Sequence, residues 1–576
     1  MARFRWSALA ARTLPILLVS TLAACGGNGT SVKLPAQNGG QGDGLTVSTD
    51  KGSVRGEFVN GVRKFLGIPY AAAPTGTLRF EPPQPRPAWA TTLNATSFGS
   101  PCPQGGPPVA PFGFDQETNE DCLNLNVTTP SGGAGLPVMV WIHGGAYSQG
   151  GGAFYPADSL VNTGHIVVVT INYRLGILGY LALPALDAQG NGTTGNYGIE
   201  DQIAALKWVH TNIANFGGNP NNVTIAGESA GGASVCILNE NAASGGAASG
   251  LFVRGIVESG PCEAPLQTFA QAEQTGAAAA AALGCPTAGS AAVQCLQSPT
   301  FSIKNAIAAL NTLPLEALSP SAGSFDIPQQ PKAGIGHMPL LLGGNKFEWG
   351  LFVGIDAVFG LQAIPQSATD YNNFLESAGS SYGAAGSVVA ASPQYNWNVY
   401  NNNGFNALTV TESDFAPAVP IALCYDFATE QKQSASGQAI YAFEFSDLNA
   451  PSTLPFAPFI GVVPGGPVHA SEVQYVWPGT TAPPSLTSTG PALTGAEATL
   501  SNQMVTYWSN FVKTGNPNGS GLPNWPTFKA GTDVMQLNNG AAGTPTALGA
   551  GTVDFDAEHN CSSFWEPLFA PTGLLN

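Results

Sequence analysis

The sequence predicts an α/β fold with a large, mostly parallel central sheet flanked by helices and interrupted by insertions. Three observations carry this. Short apolar runs alternate with stretches of helical spacing along the chain. One run, Asn222-Val223-Thr224-Ile225-Ala226, leads into Gly227-Glu228-Ser229-Ala230-Gly231 and then into a helix-like segment, Gly232 to Leu238. An earlier run stops at His143-Gly144-Gly145. Alternation of this β-α-β kind places strands in parallel and helices on the sheet faces.

The elements follow in order. Leu136–Ile142 and Ile166–Asn172 are continuous apolar runs without alternation, so each is expected as a strand buried on both faces. Asp201 to Asn215 carries Ile203, Leu206, Val209 and Ile213 at helical spacing. Val223–Ala226 is the next strand, followed by a turn, a helix and the strand-like Gly255-Ile256-Val257. Residues 242–250 are rich in Gly, Ser and Ala and are expected as a loop. The Ala-rich stretch Gly276–Leu283 is expected as a surface helix. Pro339–Leu342, with a turn at Gly343-Gly344-Asn345, and Ala439–Phe445 complete the strands. With no composition break or long linker after residue 45, residues 46–576 are expected to form one domain.

Composition narrows the functional classes. Of 576 residues, 44% are hydrophobic and only 10% charged, which supports a large core and excludes general disorder. A net charge of −17 argues against a nucleic-acid partner, which would need a basic surface. The N-terminus carries Arg3, Arg5 and Arg12 before the apolar Leu14–Val19, and then Leu22-Ala23-Ala24-Cys25. That tetrapeptide resembles a bacterial lipobox. Residues 1–24 are therefore expected to be a lipoprotein signal peptide, with Cys25 the lipidated residue. Residues 25–45, rich in Gly, Asn and Gln, are expected as a flexible tether. The expected location is exported and lipid-anchored to a bacterial membrane, touching it through the anchor only. Eight cysteines remain beyond Cys25, an even number that suggests disulfides whose pairing the sequence leaves open.

The chemistry centres on Ser229. Strand, sharp turn and helix with G-x-S-x-G at the turn is the nucleophile elbow of an α/β-hydrolase fold. The turn lifts the hydroxyl above the sheet, and the helix N-terminus offers N–H groups to a developing oxyanion. The elbow's partners follow in the order acid, then His. Of six histidines, His143, His165 and His210 precede Ser229. His337 enters a strand, and His559 sits near the end beside Cys561. His469 lies in a Gly/Pro loop after a strand, where such a base is presented. Glu348 falls just beyond a strand's carboxyl end and is the preferred acid, with Asp326, Asp356 and Asp370 as rivals. Oxyanion donors are expected from Ala230 and from the Gly-rich loop in Trp141–Tyr147. No zinc-type spacing occurs among the His and Cys residues, and no cofactor or metal is expected.

Four further segments point to one family. Phe65-Leu66-Gly67-Ile68-Pro69-Tyr70-Ala71, Glu120-Asp121-Cys122-Leu123-Asn124-Leu125-Asn126-Val127, Asn172-Tyr173-Arg174-Leu175-Gly176 and the block Asp201–Gly232 resemble the type B carboxylesterase family. The resemblance covers roughly residues 46–568. It implies Ser229 as nucleophile, Glu348 as triad acid and His469 as base, with Gly145, Ala146 and Ala230 as oxyanion donors. It implies disulfides Cys102–Cys122, Cys285–Cys295 and Cys424–Cys561, and structural ion pairs Arg79–Glu120 and Arg174–Asp201. Cys236 and Cys262 receive no role from it. The implied activity is a serine carboxylic-ester hydrolase acting through an acyl-enzyme on small or medium carboxylic esters. The alternative is a lipase or polyester hydrolase acting on insoluble esters. A non-catalytic binding module is a third reading, opposed by the presence of Ser, Glu and His together. Two departures qualify the match. The acid motif reads Asn345-Lys346-Phe347-Glu348-Trp349-Gly350, where the family has Asp-Glu-Gly. The Cys102–Cys122 loop is short and lacks a Trp, so neither choline esters nor a long interfacial lid is expected.

Overall fold

The computed structural model describes residues 44–569 apart from 105–118, 188–193, 311–317, 360–361, 378–381, 418–419, 453–464, 480–491 and 540–551. The signal peptide, Cys25 and all but the last two residues of the tether lie outside the described residues.

Eleven strands form the central sheet: β1 (Glu57–Val59), β2 (Val62–Pro69), β3 (Asn124–Pro130), β4 (Leu136–Ile142), β5 (Val167–Ile171), β6 (Gly218–Glu228), β7 (Arg254–Glu258), β8 (Leu340–Asn345), β9 (Ile440–Phe445), β10 (Val534–Leu537) and β11 (Thr552–Val553). Their order across the sheet is β11-β10-β9-β8-β7-β6-β4-β5-β3-β2-β1. From β4 to β10 the strands are parallel. The margins are antiparallel. The expected α/β architecture is the observed one.

Burial on both faces explains the unbroken apolar runs. In β4, Val138, Val140 and Ile142 join the core on one side, while Met139 and Trp141 join the core on the other. Helices α1 (Tyr197–Asn212) and α2 (Ala230–Ala243) cover the first side through Ile203, Leu206, Val209, Val235 and Leu238. Helix α3 (Gly495–Thr514) covers the second with Met504, Trp508 and Phe511.

Several expected boundaries shift. The helix expected from residue 201 begins at Tyr197 and ends at Asn212, with a 3-10 turn after it. Gly343-Gly344-Asn345 is not a turn but the end of β8, because Phe443, Glu444 and Phe445 pair with it in register. A Cβ on Gly343 would overlap the Phe443 carbonyl oxygen, so the close approach needs glycine. Residues 242–243 close α2, and only the residues after them are loop. The Ala-rich stretch belongs to a helix, Phe269–Ala282, that is surface-lying on one side only. Ala272, Gly276, Ala279 and Ala280 are buried on the other side.

Strand order places the site. β5 lies on one side of β4 and β6 on the other, so the winding direction reverses between them. Open α/β sheets collect ligands in the crevice beyond the carboxyl ends at such a reversal. The Gly-rich loop after β4 and the elbow after β6 flank it.

The cysteines pair as Cys102–Cys122, Cys285–Cys295 and Cys424–Cys561. The two left unassigned by the resemblance, Cys236 and Cys262, form a fourth bridge. Four disulfides are consistent with an exported protein. Arg79 holds Glu120 through both oxygens, and Arg174 does the same with Asp201. No helix among the described residues is long and apolar enough to cross a membrane.

Candidate active site

Ser229 sits between β6 and α2 with φ 57° and ψ −124°, a region that non-glycine residues rarely occupy. The conformation is held from outside: Ser229 N–H donates to the Glu258 carbonyl at 2.9 Å. A Cβ on Gly231 would overlap the Ile142 carbonyl oxygen, and one on Gly227 would overlap Gly231. The two glycines of the pentapeptide are therefore steric requirements of the turn.

The acid and the histidine arrive together. β8 continues past its end to an isolated parallel bridge between Phe347 and Val468, with Phe347 N–H donating to Pro467 at 2.9 Å. The residues that follow each, Glu348 and His469, therefore stand side by side. His469 Nε2 lies 2.9 Å from Ser229 Oγ, and His469 Nδ1 lies 2.6 Å from Glu348 Oε2. The other oxygen, Glu348 Oε1, accepts from Ser259 Oγ at 2.6 Å and from Asn345 N–H at 2.5 Å. Glu348 is fully buried. Two of the rivals lie elsewhere: Asp370 accepts from Ser367, the cap of its own helix, and the carboxyl of Asp326 interacts with Glu200.

Three groups near the histidine escaped the sequence reading. Glu228 Oε1 is 3.2 Å from His469 Nε2. Ser259, another strained residue at φ 49°, braces Glu348. Asn345 joins Ser259 to Glu472, donating to Glu472 Oε2 at 2.6 Å. Glu228 stood inside the elbow motif itself, and Ser259 and Asn345 end or follow strands at the carboxyl edge. Position at that edge was the available signal.

Electrostatics follow from burial. Burial pulls the His469 imidazole down, but the Glu228 and Glu348 carboxylates outweigh it and leave its pKa raised. Burial pushes Glu228 up to about 7, against the pull of His469, and Glu258 up to about 8. Glu472 is raised well above the carboxylate range by burial and by its acidic neighbours.

His559 has a separate place. It is buried between Asp414, 2.6 Å from Nδ1, and Glu444, 2.9 Å from Nε2, and these carboxylates lift it to about 9 against burial. Asp426 and Glu430 also face it. A pH effect on stability follows. Buried Glu228, Glu258, Glu412 and Glu430 hold protons up to about 7 to 8, whereas in the unfolded chain they ionise near the ordinary value. The folded state binds the extra protons, so stability falls as pH rises through that range. The His559 contribution is complete below its unfolded value of about 6.5 and is lost as pH rises through its folded value. Melting temperature should therefore be highest in mild acid and decline steadily to pH 9. A melting temperature that is flat or rising between pH 5 and 8 would contradict this.

The Gly-rich loop faces the serine. Ala146 (φ 50°) and Tyr147 (φ 57°) both adopt left-handed backbone, a costly arrangement for side-chain-bearing residues. The N–H groups of Gly145, Ala146 and Ala230 meet no acceptor among the described residues. His143 is pushed down to about 4 by burial, so it is neutral. Its Nδ1 lies 2.8 Å from the Gly144 carbonyl oxygen, and it stacks on Tyr173. Next to Ser229 and His469 a cavity of about 220 Å³ opens, lined largely by apolar groups including Ala146, Leu266, Trp349 and Phe352.

A hydroxyl, an imidazole and a buried carboxylate bonded in series can deprotonate the hydroxyl and stabilise the imidazolium that results. Unpaired backbone N–H groups opposite can hold an oxyanion. Fold and site together define an α/β-hydrolase of the serine type.

Known proteins agree with that class. The profile described as "Carboxylesterase family" matches residues 43–556. The medium-chain fatty acyl-CoA hydrolase precursor of Anas platyrhynchos is 34% identical over 522 residues, covering 85% of this chain and 88% of that protein. The cocaine esterase of Homo sapiens is 32% identical, with coverage of 85% and 87%. The crystal structure of a Geobacillus stearothermophilus carboxylesterase at pH 6.8 superimposes with a TM-score of 0.66 at 28% identity, covering 86% of this chain and 96% of that one. The chain belongs to the carboxylesterase family, and it is a carboxylic ester hydrolase.

Proposed function

We propose that Ser229 is the nucleophile, His469 the general base and Glu348 the acid that orients it, with Gly145, Ala146 and Ala230 as oxyanion donors. The Ser229–His469–Glu348 hydrogen-bond series carries this reading. Ser229 Oγ attacks the ester carbonyl as His469 Nε2 takes its proton. The oxyanion rests on the three N–H groups. The tetrahedral intermediate collapses to an acyl-enzyme, and His469 returns the proton to the leaving alcohol. Water, deprotonated by His469, then releases the acid. The substrate is a neutral carboxylic ester of small or medium size. Among the described residues no Lys or Arg lines the cavity, while Glu228, Glu258 and Glu472 lie buried close by, so an anionic ester would meet no counter-charge from them. The reading is tested with a fluorophosphonate, which phosphonylates an activated serine. Stoichiometric labelling of the Ser229 peptide with loss of ester hydrolysis is expected. Labelling elsewhere, or activity that survives it, would remove Ser229. A chain-length series separates this substrate class from the lipase alternative, which requires activation at an interface.

The N-terminal segments complete the proposal. Residues 1–24 act as a signal peptide, Cys25 carries the lipid and residues 25–45 tether the hydrolase domain, residues 46–576, to the membrane. The tetrapeptide ending at Cys25 supports this. Cys25→Ser should abolish incorporation of labelled palmitate in a bacterial host. Labelling that persists would refute the anchor.

A further inference from the structure

We propose that the Cys236–Cys262 disulfide is a specificity-determining wall of the ester cavity, setting the size of acyl or alkoxy group that reaches Ser229. The proposal rests on Ser229 being the nucleophile. Cys236 lies seven residues beyond Ser229 on α2, two helical turns along. With Ala230 and Ala233 it puts that helix's face into the cavity. Cys262 follows Gly260 and Pro261, which also line the cavity, and Gly260 lies against that helix. The bridge therefore ties together two adjoining segments that both contribute to the lining of one cavity.

The segment so clamped also touches the reacting machinery. Its Glu258 carbonyl accepts from Ser229 N–H, and its Ser259 hydroxyl donates to Glu348. Gly260 packs so closely on α2 that a Cβ there would come within 2.5 Å of Ala233 N. Cys236 Sγ sits 3.5 Å from the Gly260 carbonyl oxygen. Close packing of this kind transmits any change in segment 260–262 straight to cavity width. Both cysteines are almost completely buried, and Cys236 is the one that lines the cavity. A second bridge, Cys285–Cys295, does not line the cavity.

The experiment compares Cys236→Ala/Cys262→Ala with Cys285→Ala/Cys295→Ala. Both variants should lose thermal stability. Only the first should change selectivity: the ratio of kcat/KM for an octanoate over a butyrate p-nitrophenyl ester should rise by about tenfold, the low end of the effect of one methylene-sized change in an apolar pocket. An unchanged ratio in the folded first variant, or an equal rise in both variants, would overturn the proposal. Should the first variant not fold, the native protein is treated with a water-soluble phosphine at increasing concentration until peptide mapping finds the bridge open. The phosphine supplies two electrons and gains the oxygen of one water, whose two protons go to the two thiols formed. The ratio should rise in step with opening of Cys236–Cys262. A constant ratio after opening would overturn the proposal. Wild-type activity that survives Ser229→Ala would instead sink the nucleophile assignment, and the two failures are distinct.

Discussion

Ser229→Ala lowers kcat by about 10⁶-fold, the scale of deleting the nucleophile from a working triad. The expectation rests on geometry. Ser229 Oγ is the atom 2.9 Å from His469 Nε2, and its backbone is held in a strained turn that presents it to the cavity. Alanine removes only the hydroxyl and leaves the Gly227 and Gly231 contacts that shape the turn. The variant therefore keeps its fold and its melting temperature within a few degrees. A purified, folded Ser229→Ala protein with substantial turnover would exclude an acyl-Ser229 intermediate. Adding His469→Ala to it costs almost nothing more, because residues acting as a unit are not additive.

Glu348→Gln is the second large effect, about 10⁴-fold in kcat. The effect depends on which end of the new amide faces the histidine. Glu348 Oε1 accepts from Ser259 Oγ and Asn345 N–H, so the amide oxygen takes that place. The NH₂ group then points at His469 Nδ1 and donates to it. The imidazole proton is forced onto Nε2, which can no longer accept from Ser229. The fold is unchanged, since Gln fills the same space and keeps the same bonds at Oε1. A second readout follows from charge. Glu348 is one of two carboxylates that raise His469, so its loss moves the acid limb of the pH–rate profile to lower pH. Activity within tenfold of wild type would remove Glu348 as the acid.

The pH behaviour of the protein has two opposed parts. Buried carboxyls and His559 favour the folded state in mild acid. In the proposed mechanism proton transfer from Ser229 needs neutral His469, whose pKa is raised, so activity should grow as pH rises. The range of use lies where these trends overlap.

Sequence periodicity and local turn chemistry reached the fold class, because β4, β5 and the Val223–Ala226 part of β6 are largely apolar runs and Gly227–Gly231 stands between such a run and a helix-like segment. Chain order narrowed the histidine to His469 and ranked Glu348 above its rivals. Boundaries failed where pairing overrode local preference. Gly343-Gly344-Asn345 has the composition of a turn, yet β9 alongside holds it extended.

What the sequence by itself determined is the class of chemistry: a nucleophile elbow, a Gly-rich donor loop and an acid and base in order. These are local or sequential properties, written in adjacent residues. The tertiary structure alone decided the environment of His469. It brought Glu228, Ser259, Asn345 and Glu472 around the same few ångströms from four separate stretches of chain. It also closed Cys236 onto Cys262 beside the cavity. Burial and pairing of this kind depend on which strand ends meet across the sheet, and no spacing along the chain records that.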